Sequence, residues 1–127
     1  MSQLKGKLAL ITGAASGIGL SSARLFALQG ADLVLVDKSK DLEKIADDIQ
    51  KVSNSKVTHH VTDVTVKSNI DNLFGKIKEV HVKHTVPNIL LNSAGIARIK
   101  PFANISEKEY DEMININLKG QLTPLFK

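Results

Sequence analysis

Short apolar runs alternate with amphipathic segments along this chain. Leu8-Ala9-Leu10-Ile11, Leu33-Val34-Leu35-Val36 and Ile89-Leu90-Leu91 are continuous. Runs of that length without polar alternation predict strands covered on both faces. A fourth run, Val57-Thr58-His59-His60-Val61-Thr62, is mixed and predicts a strand within 56–64. Between the runs, apolar residues recur at helical spacing. Ile18, Leu20, Ala23, Phe26 and Ala27 give one face of a helix over 16–29, and Leu42, Ile45, Ala46, Ile49 and Val52 give one over 41–52. Ile70, Leu73, Phe74 and Ile77 give a third over 66–79. Gly30 is placed as a C-cap. Ser106-Glu107-Lys108-Glu109 is a capping box that opens a short helix, and Pro124 is expected to interrupt any helix that continues past Asn117. Strand and helix in alternation predict an α/β fold with a parallel sheet. Right-handed crossovers give the expected order 3-2-1-4.

The turn between the first strand and the first helix carries the chemistry. It reads Thr12-Gly13-Ala14-Ala15-Ser16-Gly17-Ile18-Gly19, a T-G-x-x-x-G-x-G pattern. The common G-x-G-x-x-G form fails, because its third glycine falls on Ser22. Gly13 permits a sharp turn. Gly17 and Gly19 clear side chains from where backbone would approach a pyrophosphate and where helix lies on sheet. The helix start supplies free N–H groups and a positive dipole end. Asp37 ends the second strand eighteen residues after Gly19, near the ~20 of dinucleotide-binding units. A carboxylate there accepts ribose hydroxyls and repels a 2′-phosphate. Lys38 has the opposite sign and argues for NADP, or is simply solvated. Ser16 is not basic, so NAD is the expected cofactor. This layout defines a Rossmann-like, doubly wound unit, and a glycine turn with no ligand is the bland alternative.

Other candidates are weaker alone. Asp63 stands at a strand end, where open α/β sheets bind ligands, or else caps the next helix. Asn92-Ser93-Ala94-Gly95 is small enough for a cofactor to lie against backbone, and the Asn92 amide can tie neighbouring strands. Asn115 and Asn117 lie two apart in an apolar segment, so both cannot point inward. His59 and His60, adjacent in a strand, face opposite ways. His81 and His84 have ligand spacing but no acidic or thiol partner nearby, so no metal site is expected.

Composition narrows the classes. A chain of 127 residues makes one domain, 1–127, and no run approaches the roughly 18 apolar residues of a membrane span. Without cysteine there is no disulfide framework or thiolate metal site. A net charge of +4 invites nucleic acid, but seventeen basic residues are scattered and one tyrosine with four phenylalanines offers no stacking platform. No nucleic-acid or membrane partner is expected. The first strand begins near Lys7, so no signal peptide is expected. The expected location is cytoplasm or mitochondrial matrix.

Taken together, Thr12 to Gly19, Asp37, Asp63-Val64, Asn92-Ser93-Ala94-Gly95 and Asn115-Ile116-Asn117-Leu118-Lys119-Gly120 resemble the short-chain dehydrogenase/reductase family over essentially the whole chain. Ser93 stands where the family usually has asparagine. The resemblance implies that Thr12, Gly13, Ser16, Gly17, Ile18 and Gly19 form the pyrophosphate turn. It implies that Asp37, with Lys38 adjacent, meets the adenosine ribose and that Asp63 and Val64 meet adenine. Asn92, Ser93, Ala94 and Gly95 would lie along the ribose and nicotinamide side, and Asn117 would be the catalytic asparagine that positions a water. The family's later serine and Y-x-x-x-K are missing: Tyr110 is followed four residues on by Ile114. The chain thus looks like the NAD-binding half of such an enzyme, a sheet truncated after about four strands and incomplete at its C-terminus. Asp37, the 80–87 connector and Leu91-Asn92-Ser93-Ala94-Gly95-Ile96 are similar to the 17β-hydroxysteroid dehydrogenase and 3-oxoacyl-carrier-protein reductase group. That likeness implies a carbonyl or alcohol substrate, lipid metabolism, and a full-length homo- or hetero-oligomer. A fragment that binds nucleotide or a subunit without catalysis is the alternative. An S-adenosylmethionine methyltransferase shares the turn and strand-end acid, but not the T-G-x-x-x-G-x-G spacing.

Overall fold

The computed structural model describes residues 2–84, 86–95 and 101–120. Its elements are β1 (Leu8–Thr12), α1 (Gly17–Leu28), β2 (Asp32–Asp37), α2 (Leu42–Lys51), β3 (Val57–Val61), α3 (Lys67–Val80) and β4 (Ile89–Asn92). A 3-10 turn (Phe102–Asn104), α4 (Glu107–Ile114) and a π-helical turn (Asn115–Lys119) follow. The expectation about Pro124 lies outside the described residues.

The sheet is parallel throughout and runs β3-β2-β1-β4, the order expected from the alternation. β1 is central, with Thr12 level with Val36 on one side and Asn92 on the other. Successive side chains of a strand alternate between faces, and here both faces are covered. Ala9, Ile11, Leu33 and Leu35 pack with Ala23 and Ala27 of α1 and Ala46 and Ile49 of α2. Leu8, Leu10, Val34 and Val36 pack with Ile70, Leu73 and Ile77 of α3. That double cover is why the runs are uninterrupted in sequence. Each fully buried Leu or Ile contributes about 1.5–3 kcal/mol by leaving water.

Two residues assigned to inward faces point out. Ile18 is 75% exposed and Val52 is 71% exposed. Ile18 lies in the first turn of α1, which projects past the strand ends, so there is no sheet beneath it. Val52 is the residue after α2, where the helical stripe has already ended. The third strand is shorter than 56–64. After Val61, the Thr62 N–H still donates to the Asp37 carbonyl at 2.9 Å, and the chain then turns at Asp63. α1 closes on paired bonds, Gly30 N–H to Ala27 C=O at 3.0 Å and Ala31 N–H to Phe26 C=O at 3.1 Å. These are the two bonds of a Schellman motif, with Gly30 just past the cap. The Ser106 box is formed in both directions: Glu109 N–H donates to Ser106 Oγ at 3.2 Å, and Ser106 N–H donates to Glu109 Oε2 at 2.9 Å.

Candidate cofactor-binding site

The strand ends carry the site because β1 stops in a turn that few residues other than glycine can make. Gly13 has φ +65°, and a Cβ there would sit 2.6 Å from the backbone of Ser93 and Ala94. Gly17 has φ +55° and faces open space. Gly19 is required for contact, since a Cβ would overlap the Gly13 carbonyl oxygen. The turn is thus pressed against both its own helix and the loop after β4. Thr12 secures that loop from beneath. Its hydroxyl accepts the Ser93 N–H at 3.2 Å and the Ala94 N–H at 3.3 Å, and the residue is only 1% exposed.

α1 then begins at Gly17 with Ser16 extended before it. The Ser16 side chain makes no capping bond, and the first turn contains no acidic residue. N–H groups in the first turn of a helix lack partners within the helix. Here neither a Ser16 cap nor an acidic residue of the first turn occupies them, which suits an anion.

Asp37 faces this helix start from β2. Its Oδ2 accepts the Ala15 N–H at 3.0 Å and its Oδ1 accepts the Ser39 N–H at 3.0 Å. The carboxylate is therefore fixed by backbone on both sides, and each oxygen keeps a further lone pair for a hydroxyl. Asp63 is fixed differently. Its Oδ1 accepts both the N–H of Thr65 at 2.9 Å and its hydroxyl at 2.6 Å. Its Oδ2 lies 3.5 Å from Lys38 Nζ. Asp63 is not the cap of α3, which is Val66. Partial burial raises the Asp63 carboxyl, but the two Thr65 bonds and the Lys38 ammonium outweigh it and hold the pKa below the usual carboxylate value.

These elements enclose a cleft of about 380 Å³. Gly13, Ser16, Gly17 and Ile18 line it from the turn, Asp37 and Lys38 from the end of β2 and just past it, and Asp63 and Val64 from beyond β3. Ala94 and Gly95 line it from the β4 loop. Four residues singled out in the sequence do not line it. Thr12 and Gly19 are buried beneath it. Asn92 ends β4 beside Thr12, half-buried. Asn117 is half-buried on the π-helical turn, with its Oδ1 3.2 Å from where a Cβ of Gly95 would lie, whereas Asn115 is exposed. Val36, Thr62 and Ile116 line the cleft without having been singled out as site residues, and Ser93 lines it within the 92–95 loop read from the sequence. Val36 and Thr62 each precede a strand-end acid, a signal that was there to be used. Ile116 has no such signal, because its place depends on how the π-helical turn docks.

Two histidines stand apart from the cleft in buried or half-buried positions. His81 is 3% exposed and its Nε2 lies 2.9 Å from Thr58 Oγ1. Burial, with Lys56 adding to it, lowers its pKa. Burial, then Lys76 and the neighbouring histidines, lower that of His60 to about 4. Among the described residues no group of three His, Cys, Asp or Glu could hold a metal, and no helix is long and apolar enough to cross a membrane.

Comparison with known proteins agrees with this geometry. The family model for short chain dehydrogenases matches residues 7–125. Oxidoreductase UcpA of Salmonella typhimurium is 39% identical over 120 residues, covering 94% of this chain and 44% of the relative. An NAD-dependent glycerol dehydrogenase of Listeria innocua is 38% identical over 114 residues, 90% of this chain and 42% of the relative. The 3-oxoacyl-[acyl-carrier-protein] reductase FabG of Thermotoga maritima is 37% identical over 119 residues, 93% and 47% respectively. Among solved structures, an alcohol dehydrogenase from the archaeon Thermococcus sibiricus, complexed with 5-hydroxy-NADP, superposes with a TM-score of 0.86 at 34% identity, covering 94% of this chain and 50% of that one. The chain belongs to the short-chain dehydrogenase family of oxidoreductases, and it spans about half the length of the curated relatives it matches.

Proposed function

We propose that this chain binds NAD(H) and forms the cofactor-binding part of an oxidoreductase that interconverts an alcohol and a ketone. The observation that carries this reading is the convergence, in one cleft, of an uncapped helix start, a backbone-fixed carboxylate on β2 and a small-residue loop after β4. The parts suit a dinucleotide. The start of α1 offers N–H donors for the pyrophosphate, and Gly17 leaves room for it. Asp37 accepts the adenosine ribose hydroxyls, and Asp63 and Val64 meet the adenine. Ala94 and Gly95 leave backbone exposed to the nicotinamide half. Bound there, the nicotinamide would supply or accept the hydride. Asn117, beside Gly95, would orient a water in the proton path. NAD is preferred over NADP because a 2′-phosphate would meet the fixed charge of Asp37. The relatives divide on this point, the Listeria enzyme being named NAD-dependent and the Thermococcus structure holding an NADP derivative. A 3-oxoacyl or hydroxysteroid carbonyl is the substrate class we favour.

A second reading has its own support. Tyr110, the single tyrosine, is 59% exposed and is followed four residues on by Ile114, so these 127 residues contain no Y-x-x-x-K. The chain by itself would then bind nucleotide without turning over substrate, since no acid of that kind is present to protonate an alkoxide. Titration with NADH, followed by its fluorescence, tests the proposal. We expect saturable binding with NADPH weaker than NADH, and no oxidation of NADH on addition of a 3-oxoacyl thioester. Absence of saturable binding by either nucleotide would sink the proposal, and steady turnover would sink the non-catalytic reading.

A further inference from the structure

Among the described residues that line the cleft, three are charged: Asp37, Lys38 and Asp63. Their bonding is unequal. Asp37 is held through both oxygens by backbone N–H groups, from Ala15 and from Ser39. Asp63 commits Oδ1 to the N–H and hydroxyl of Thr65, which leaves Oδ2 facing the Lys38 ammonium at 3.5 Å. Lys38 follows β2 and Asp63 follows β3, so this ion pair spans the gap between neighbouring strand ends at the cleft. Adjacent residues 37 and 38 carry opposite signs, and the sequence alone gives them opposite preferences for a 2′-phosphate. The ion pair removes that contradiction.

We propose that Asp63 is a cofactor-specificity residue: by holding Lys38 across the cleft, it withholds that cation from a 2′-phosphate and leaves Asp37 to decide for NAD. The inference rests on the nucleotide reading above and adds to it a coupling between two residues. Lys38 is 64% exposed, so the restraint is graded. An exposed pair of this kind is worth up to about fivefold in an equilibrium. Thr65 contributes as a positioning residue, since its two bonds turn the free oxygen of Asp63 toward the lysine.

A double-mutant cycle tests this on the 127-residue chain. Dissociation constants for NADH and NADPH are measured for wild type, Asp63→Asn, Lys38→Met and the double variant. Asparagine keeps an oxygen for Thr65, and circular dichroism checks the fold of each variant. We expect Asp63→Asn to shift the NADH-to-NADPH preference about three- to fivefold toward NADPH when Lys38 is present, and hardly at all when it is methionine. An equal shift in both backgrounds means plain charge repulsion and overturns the proposal, as does no shift in either. Failure of the wild type to bind either nucleotide overturns the nucleotide reading, and the specificity role falls with it. A cofactor-free measurement separates the two cases. The Asp63 carboxyl, followed by carbon NMR, should titrate higher in Lys38→Met than in wild type. An unchanged titration overturns the ion pair itself, whatever the chain binds.

Discussion

β1 is buried along its whole length and β2 everywhere but its ends, whereas β3 buries only Val57, β4 is half-buried throughout, and α4 buries no residue. The candidate site straddles that difference. Its central part, the glycine turn and Asp37, is held by backbone bonds and by contacts too close for any Cβ. Its flanks rest on side-chain contacts: Lys38 with Asp63, Asn117 against Gly95, and Gly120, where a Cβ would lie 2.9 Å from Val64. The lesson is a division of labour. The residues proposed to meet the pyrophosphate and the ribose sit in the best-packed part of the sheet and share its stability. The groups that would set specificity and proton transfer sit where packing is thin, and side-chain changes there should alter function more than folding.

The largest expected effect is at the centre. Gly13→Ala forces a methyl onto the Ser93 and Ala94 backbone at φ +65° and should cost about 3 kcal/mol or more of unfolding free energy in urea titrations. Gly17→Ala, at φ +55° but in open space, should cost only about 1 kcal/mol. Equal losses would mean that the central turn is not locked by contact. Next, Asp37→Ala should weaken NADH binding about tenfold and NADPH binding clearly less, read by calorimetry. The same loss for both cofactors would make Asp37 a tie for the turn at Ala15 and nothing more.

The flank at β3 should show itself through pH. His60 has a folded pKa of about 4 against an ordinary 6.5. Its unfolded form therefore takes up a proton first as pH falls. Stability is unaffected above about pH 7, declines through 6.5 and reaches its full loss near 4. With partial exposure discounted, the loss from this residue is about 1 kcal/mol. His60→Gln should flatten the stability profile over that window, and an unchanged slope would transfer the effect to His81, whose pKa is lowered in the same direction. The smallest effect belongs to α4. Ser106→Ala removes the capping box and should cost about 1 kcal/mol within that helix, seen as faster amide exchange from Glu107 to Ile114. Because α4 buries nothing, the global unfolding midpoint should barely move.

Much of this was legible in the chain. The four strands, their order, the double cover of β1 and β2 and the capping box follow from period, run length and handedness, all of them local or statistical consequences of backbone geometry. Gly13 and Gly19 announced the turn because a Cβ is excluded there by contact, and Gly17 because its φ is positive. Other features were not legible, for stated reasons. Helical spacing marks a stripe but not where the sheet beneath it ends, so Ile18 and Val52 were assigned inward. Spacing marks Asn115 and Asn117 as alternatives but not which one docks.

The sequence by itself determined a parallel α/β unit with a glycine turn aimed at an acid on the next strand, because sterics and side-chain period act between near neighbours. Only the tertiary structure decided what Thr12, Lys38, Asp63 and Ile116 do. Thr12 holds a loop about eighty residues away in the chain, and Lys38 is paired with a carboxylate just beyond the following strand. Such pairings depend on where side chains and loops come to rest beyond the strand ends, and strand order alone does not specify that. It follows from burying both faces of the sheet at once.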